Sequence, residues 1–308
     1  MGYKLAGYDV VGNVEIDKDM EQIYVKNHHP KYTYNMDIRK FNQLREYPED
    51  LKNLDILDGS PPCSVFSIAG KREKGWNIEK VFREGQNKQR LDDLFFHFIE
   101  TAEKLKPKIV VTENVTGLIK GNAKGYVNEI IKGFKGAGYQ VQIFLLNAAT
   151  MGVPQKRERV FFICYRTDLN FPKLKLSFHE KPIKFGEIRS EHGIMPKYGF
   201  MNINRLKKRI KTDKCIADIT AREEGKESGY NLPILHDDSI AGTVTAVGTF
   251  YRYCDGLKAT SEDYINMQTF PQDYDFMGQK VKYICGMSVP PVMEAQIATQ
   301  IYEQWLKT

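Results

Sequence analysis

The chain lacks the features that would mark a secreted, metal-binding or membrane protein. Its 308 residues include only five cysteines, an odd number with no C-x-x-C pair. Neither a disulfide framework nor a zinc site is therefore expected, and a reducing cytoplasm is. No apolar run approaches the ~20 residues of a membrane span, and Met1 is not followed by the charged and apolar regions of a signal peptide. Internal repeats and low-complexity tracts are also absent, which excludes solenoids and compositionally biased arrays. The expectation is a soluble, cytoplasmic, monomeric protein without a metal.

What is present suffices for one good core and a smaller second domain, since 42% of the residues are hydrophobic. The net charge of +6 is unevenly placed. Residues 173–214 hold twelve Lys and Arg against four Asp and Glu, a local excess of +8 that leaves about −2 for the rest. This stretch includes Lys207-Lys208-Arg209 and is interleaved with Phe178, Phe185, Tyr198 and Phe200. A solvated lysine-rich face would account for it, but the asymmetry favours a patch that meets phosphates.

Short β-branched or aromatic runs at 8–14, 54–58, 109–112, 141–146 and 160–164 read as strands. Between them, Leu91, Leu94, Phe95, Phe98, Ile99, Ala102 and Leu105 recur at three- and four-residue steps before Pro107, predicting an amphipathic helix over 88–106. A second helix is expected over 125–136. The alternation implies an α/β fold, a mostly parallel sheet covered by helices, with ligands at the carboxyl ends of its strands. After about residue 170, prolines, glycines and the basic excess replace the alternation, marking a second, smaller domain. From about 258 the character of the first domain returns, and Pro291 to Leu306 reads as a closing helix.

Three islands carry reactive residue types. Ser60-Pro61-Pro62-Cys63 follows a strand, so its stiffened turn presents the thiol at the carboxyl edge of the sheet. A lone cysteine is otherwise a small buried hydrophobe. Glu113-Asn114-Val115 ends another strand; such a Glu is either a solvated turn residue or an acid–base group. Gln155-Lys156-Arg157-Glu158-Arg159 leads into a third strand with arginines two apart, on one face if the strand geometry extends back. Between the first island and the 88–106 helix, a polar stretch from Ile68 to Gln86 carries Lys71, Arg72, Lys74, Lys80 and Arg83 among three glycines, and is either disordered or a lid.

In this order the islands resemble the DNA cytosine methyltransferases that act on carbon 5 of the base, and the resemblance runs over nearly the whole chain. It implies a Rossmann-like class I S-adenosylmethionine-dependent catalytic domain over 1–171, a target-recognition domain over 172–255, and a segment over 256–308 that completes the catalytic domain. The implied reaction moves a methyl group from S-adenosyl-L-methionine, leaving S-adenosyl-L-homocysteine, to cytosine in a specific duplex DNA sequence. The base is flipped out, and Cys63 forms a covalent adduct at carbon 6. Glu113 would hold ring nitrogen 3 and the exocyclic amine, its carboxyl kept partly protonated by burial or by contact with the base. Of Arg157 and Arg159, one would hold the oxygen at carbon 2 and the other brace Glu113 or a phosphate.

The resemblance also implies a cofactor site. Glu15 would bind ribose hydroxyls beside Ile16, Asp37-Ile38 would face the adenine, and Pro62 and Leu94 would line the pocket. Ser288 and Val289, within a run similar to the last family motif, would touch the methionine end. Lys71, Arg72, Lys74 and Arg83 would close over DNA, and Lys207, Lys208 and Arg209 would bind its phosphates. Duplex DNA is the implied partner, with a cognate restriction endonuclease, in a bacterial or phage setting near the nucleoid.

Departures from the family pattern are Ser64 for a glutamine, Met287 for an asparagine, and Lys258 for the arginine of a supporting motif running to Glu262. The family opens with a strand and a Phe-x-Gly-x-Gly-Gly turn, whereas Met1–Gly7 resembles the end of the helix that follows; the expectation is that an internal methionine has been taken as the start. Without the first strand the chain is alternatively an inactive nucleic-acid binder. A tRNA cytosine-5 methyltransferase is a further alternative, disfavoured by the absence of a Cys-Phe-Thr run.

Overall fold

The computed structural model describes residues 1–62, 93–119, 124–195, 200–225, 229 and 231–307. Cys63, Lys71, Arg72, Lys74 and Arg83 lie outside the described residues. Packing divides the chain into two compact units. One, the sheet unit, comprises Gly7–Leu146, Glu158–Leu176 and Thr299–Thr308; the other comprises Met1–Ala6, Asn147–Arg157 and Ser177–Ala298. The stretch expected to close the catalytic domain is thus divided by packing: 256–298 groups with 177–255, and only 299–308 with the sheet.

After α1 (Gly2–Leu5), which belongs to the second unit, the sheet unit runs β1 (Gly12–Val14), α2 (Lys18–His28), β2 (Tyr32–Tyr34), α3 (Ile38–Phe41), α4 (Glu49–Lys52), β3 (Ile56–Gly59), α5 (Leu94–Leu105), β4 (Ile109–Val115), α6 (Lys124–Gly136), β5 (Tyr139–Asn147) and β6 (Glu158–Arg166). The described strands form a two-stranded parallel sheet, β1-β2, and a four-stranded sheet in the order β3-β4-β6-β5. Within the latter β3 and β4 are parallel, and β4 and β6 antiparallel. The α/β class read from the sequence is borne out; the described strands pair as two sheets, parallel at β1-β2 and β3-β4, with an antiparallel ladder, β4-β6, within the larger. β2 went unread because Tyr-Thr-Tyr is too short to establish a period.

Helix α5 holds the pieces together from one face. Phe95, Phe98, Ile99 and Ala102 are buried in the core formed by β4, β6 and α6, while Leu105, one turn on, packs with Phe41, Leu51, Val11 and Val14 near β1. Each fully buried side chain of this kind contributes about 1.5–3 kcal/mol. The helix ends because Lys106 adopts a left-handed conformation at φ 49° and Pro107 cannot continue it. Ile109, Val110 and Val111 are all fully buried, which explains an uninterrupted apolar run in place of alternation. The C-terminal turn returns to this unit: the indole of Trp305 donates to the Pro172 carbonyl at 2.8 Å and stacks on Phe171.

The second unit continues with α7 (Phe200–Leu206), α8 (Ile216–Glu224), β7 (Ile234–Leu235), β8 (Tyr251–Arg252), α9 (Ser261–Gln268), α10 (Val281–Met287) and α11 (Pro291–Ile301). Its small apolar core joins Ile203, Leu206, Ile216, Ile219, Ile234 and Tyr251. Beside this core sits a buried ionic hub. Arg252 and Asp263, both with side chains 0% exposed, lie 3.5 Å apart. Arg252 also donates to Ser190 Oγ and the Glu191 carbonyl and pairs with Asp255. Asp263 accepts the backbone N–H groups of Ser190 and Thr260, the latter capping α9. The 258–262 motif singled out in the sequence lies beside this hub, with Lys258 bonded through its backbone to Ile194 and the Thr260 N–H donating to Asp263. Among the described residues no helix is long and apolar enough to cross a membrane.

Two stability effects follow. A Cβ on Gly59 would stand 2.4 Å from the Phe98 ring, so Gly59→Ala is expected to lower unfolding stability by about 1–3 kcal/mol. Asp263→Ala removes one of the two carboxylates that meet the buried Arg252 and leaves the Ser190 and Thr260 N–H groups without their acceptor, and is expected to cost about 3–5 kcal/mol. Urea midpoints at constant m-value measure both.

Candidate active site

β3 ends at Gly59, which registers with Thr112 of β4. β3 then leaves the sheet through Ser60-Pro61-Pro62, and β4 continues through Glu113, Asn114 and Val115 against β6. Asn114 is buried and bridges the two. Its Nδ2 donates to the Pro61 carbonyl at 3.1 Å, while its Oδ1 accepts the Val115 N–H at 2.9 Å. The backbone two residues before Cys63 is thus tied to the strand that carries Glu113.

Glu113 and Arg159 meet across the β4–β6 ladder. Val115 stands opposite Arg159, and Glu113, two residues along the same face, is its diagonal neighbour. Arg159 Nε lies 2.7 Å from Glu113 Oε1, with both side chains largely buried. Phe161, opposite Glu113 and fully buried, makes the surroundings apolar, which strengthens this ion pair. Among the described residues Oε2 of Glu113 carries no hydrogen bond. A carboxylate held at one oxygen, at the open end of a strand, can present its other oxygen to a planar ligand.

Arg157 takes a different place. It precedes β6, so strand alternation does not govern it, and its side chain is buried in the second unit at 1% exposure. Its guanidinium donates to the carbonyls of Val244 at 2.8 Å, Gly286 at 3.0 Å and Ser288 at 2.9 Å. Gln155 joins the same network, accepting the Val244 N–H and donating to Met267 O and Gln268 Oε1. The expectation of a base or carboxylate contact from Arg157 is therefore revised: its donors are directed to backbone carbonyls, and it is a positioning residue. Of the two arginines, Arg159 is the one that braces Glu113.

The residues expected around the cofactor divide between the units. In the sheet unit, Glu15 follows β1 and Asp37 precedes α3, both past the carboxyl ends of parallel strands, while Pro62 follows β3. Burial raises the Glu15 carboxyl above its ordinary pKa, offset in part by the Asp17 N–H, which donates to Oε1 at 2.8 Å. Exposed Ile16 next to it offers an apolar surface. Asp37 is engaged locally: it caps α3 through the Arg39 N–H at 2.8 Å and pairs with the Arg39 guanidinium, which reaches Asp93. Ile38 packs on the core, and Leu94 is half-buried in the first turn of α5. An acidic group, an apolar neighbour and strand ends suit a nucleoside. In the second unit, Ser288 closes α10, accepting from Arg157 and Gln268 on its carbonyl and donating its hydroxyl to Ile284 O. Val289, half-buried, follows it.

The expected phosphate contacts fare unevenly. Arg209 donates to the carbonyls of Tyr253, Leu206 and Cys254 and lies over the Tyr253 ring. Its guanidinium is thus engaged within the second unit. Lys208 pairs with Glu223 at 3.1 Å, and Lys207 is exposed. Sequence reasoning missed Asn114 as the link to the Pro61 carbonyl and Arg252 as a buried cation. The adjacency of Asn114 to Glu113 was a usable signal; nothing local distinguishes Arg252. Among the described cysteines, burial pushes the thiol of Cys285 up to about 12 and raises those of Cys164 and Cys215, so these three are poor nucleophiles. Among the described residues no group of His, Cys, Asp and Glu could hold a metal.

Known proteins share this sequence and fold. The C-5 cytosine-specific DNA methylase family matches residues 1–303. The Type II methyltransferase M.FnuDI of Fusobacterium nucleatum is 35% identical over 178 residues, 58% of this chain and 46% of the relative. M.NgoMIV of Neisseria gonorrhoeae, another Type II methyltransferase, is 28% identical over 96% of this chain and 91% of its own length. The chain spans about half the length of the first relatives it matches. A crystal structure of a DNA modification methyltransferase from an E. coli prophage aligns with 100% of this chain and 95% of its own, at a TM-score of 0.69 and 18% identity. A variant of Spodoptera frugiperda DNMT2 aligns at a TM-score of 0.64 and 18% identity, over 98% of this chain and 95% of its own. These two likenesses show a shared fold, and with a match that takes in nearly every residue, this chain belongs to the C-5 cytosine-specific DNA methylase family.

Proposed function

We propose that this chain methylates carbon 5 of cytosine in a short duplex DNA sequence. The observation that carries the reading is the Arg159–Glu113 pair on the strand whose Asn114 holds the Pro61 carbonyl. It brings a braced carboxylate and the segment leading to Cys63 to one edge. With the base flipped into this edge, the Cys63 thiolate adds to carbon 6, and Glu113 meets the charge arriving at nitrogen 3. Arg159 fixes the Glu113 carboxyl and reaches the oxygen at carbon 2. Once carbon 5 has taken the methyl group, loss of its proton to solvent restores the ring double bond, breaks the carbon 6–sulfur bond and releases the thiolate. S-adenosyl-L-methionine would supply the methyl group, held by Glu15 and Ile16 with Asp37, Ile38, Pro62 and Leu94 around it, and Ser288 and Val289 at its methionine end.

In this reading residues 172–255 recognise the target and 256–308 complete the catalytic domain. Lys71, Arg72, Lys74 and Arg83 close over the DNA, and Lys207 and Lys208 meet its phosphates. The protein works in the cytoplasm at the nucleoid, as a monomer, alongside a restriction endonuclease of the same specificity. Binding without transfer is the second reading, favoured by the separation of β1, which leads to Glu15, from the β3 sheet.

Labelled methyl transfer to mixed-sequence duplex DNA tests the proposal. Cys63→Ala is expected to abolish transfer while leaving DNA affinity within about twofold, the scale of a change that removes no binding contact. Parallel loss of both would refute this division of labour, and no transfer by the unaltered chain with intact DNA binding would favour the second reading. Glu15→Gln is expected to weaken S-adenosyl-L-methionine binding roughly tenfold or more by calorimetry, the scale of a lost charged hydrogen bond. It should also stabilise the free protein near pH 7. Because burial raises the carboxyl in the fold, ionised Glu15 opposes folding above the ordinary carboxylate range. The gain from the amide should vanish as pH falls below that range, where both folded and unfolded carboxyls are protonated.

A further inference from the structure

Four cations of the basic run read from the sequence, Arg189, Arg205, Lys208 and Lys211, form ion pairs within the second unit, as does Arg222 beyond it. Within the second unit Arg205 pairs with Glu224, Lys208 with Glu223, Lys211 with Asp238, Arg222 with Asp213 and Arg189 with Asp237. Lys258, Lys280 and Lys282 of the same unit form no ion pair among the described residues, and the fold brings them together. Lys280 and Lys282 stand two residues apart at the start of α10, and Lys258 bridges Tyr251, two residues beyond the Thr249 that Lys282 contacts. Burial, then the charges of Lys258 and Lys280, hold the Lys282 ammonium below its ordinary pKa. Its Nζ donates to Thr249 Oγ1 at 3.2 Å and the Val247 carbonyl at 3.3 Å, two of the three bonds an ammonium can make.

The surroundings fix these cations in place. Lys258 is held by a reciprocal pair of backbone bonds with Ile194, at 2.9 and 3.1 Å. The Thr245–Thr249 turn is closed by a bond from the Gly248 N–H to Thr245 Oγ1. It rests directly on α10, where a Cβ on Gly286 would stand 2.2 Å from the Ala246 nitrogen. At its tip Val247 is 87% exposed. A projecting turn on a firm seat is thus rimmed by like charges that repel one another in the free protein, an arrangement that an anion relieves.

We propose that Lys258, Lys280 and Lys282, with the Thr249 hydroxyl, form a phosphodiester-binding site for the backbone of duplex DNA, separate from the 173–214 run. The site rests on the DNA reading given above. Ammonium groups act on phosphate as point charges and demand no particular base, so the site fixes position and adds salt-dependent affinity.

The test uses the full chain and fluorescence anisotropy with a mixed-sequence duplex, between about 50 and 200 mM salt. The K258Q/K280Q/K282Q variant is expected to flatten the slope of log K against log salt by about one to two, and to bind roughly three- to tenfold more weakly at low salt, the scale of one or two lost phosphate contacts. K258R/K280R/K282R should keep the wild-type slope. Lys280→Gln alone, a change at an exposed side chain, should shift the slope in the same direction and guards against misfolding of the triple variant. An unchanged slope in the glutamine variants, with wild-type binding steeply salt-dependent, overturns this site and leaves the DNA reading standing. A wild-type chain that shows no salt-dependent duplex binding overturns both.

Discussion

The antiparallel ladder between β4 and β6 is the constraint on which the candidate site depends. Its register runs unbroken from Ile109 opposite Tyr165 to Val115 opposite Arg159. That register turns Glu113 and Arg159 to one face, and strand alternation turns Asn114 to the other, where it meets the Pro61 carbonyl. A slip of one residue would exchange the faces and undo both contacts. The ladder is held by burial: Val110, Val160, Phe162 and Cys164 lie in the core with α5 and α6. The chemistry at the strand ends is therefore fixed by apolar packing further along the same strands.

The second unit solves a different problem, since two of its arginines are almost wholly buried. Arg157 donates to three carbonyls, and Arg252 meets two carboxylates, a hydroxyl and a carbonyl. Removing charges from water is costly unless their donors are met, and meeting them ties distant segments together. Arg157 joins 157 to 244 and 286–288, while Arg252 joins β8 to 190–191 and the start of α9. Such networks are worth more in fixing one arrangement than in raw stability.

Charge in this chain has two different fates. Of the three described cations expected to face phosphates, two are engaged within the fold, Arg209 on three carbonyls and Lys208 on Glu223. Linear charge density counts all of these alike, so it placed the excess correctly in sequence without distinguishing structural from available cations. The unneutralised group around Thr249 is drawn from residues 258, 280 and 282, which no window of sequence brings together.

The sequence alone determined the alternation of strands and helices, the amphipathic face and stop of α5, and the three islands with their order. Each rests on local physics: hydrophobic period, the inability of Pro107 to extend a helix, and residue types at strand ends. It placed β3, β4, β5 and β6 to within a few residues, while β2 was too short to leave a period. Only the tertiary structure decided the roles. Arg157 and Arg159 are two residues apart and chemically identical, yet one lies outside the ladder and is buried against carbonyls while the other meets Glu113. Whether a guanidinium braces the fold or serves a site depends on which acceptors long-range packing brings within hydrogen-bond reach, and that is not a property of its neighbours in the chain.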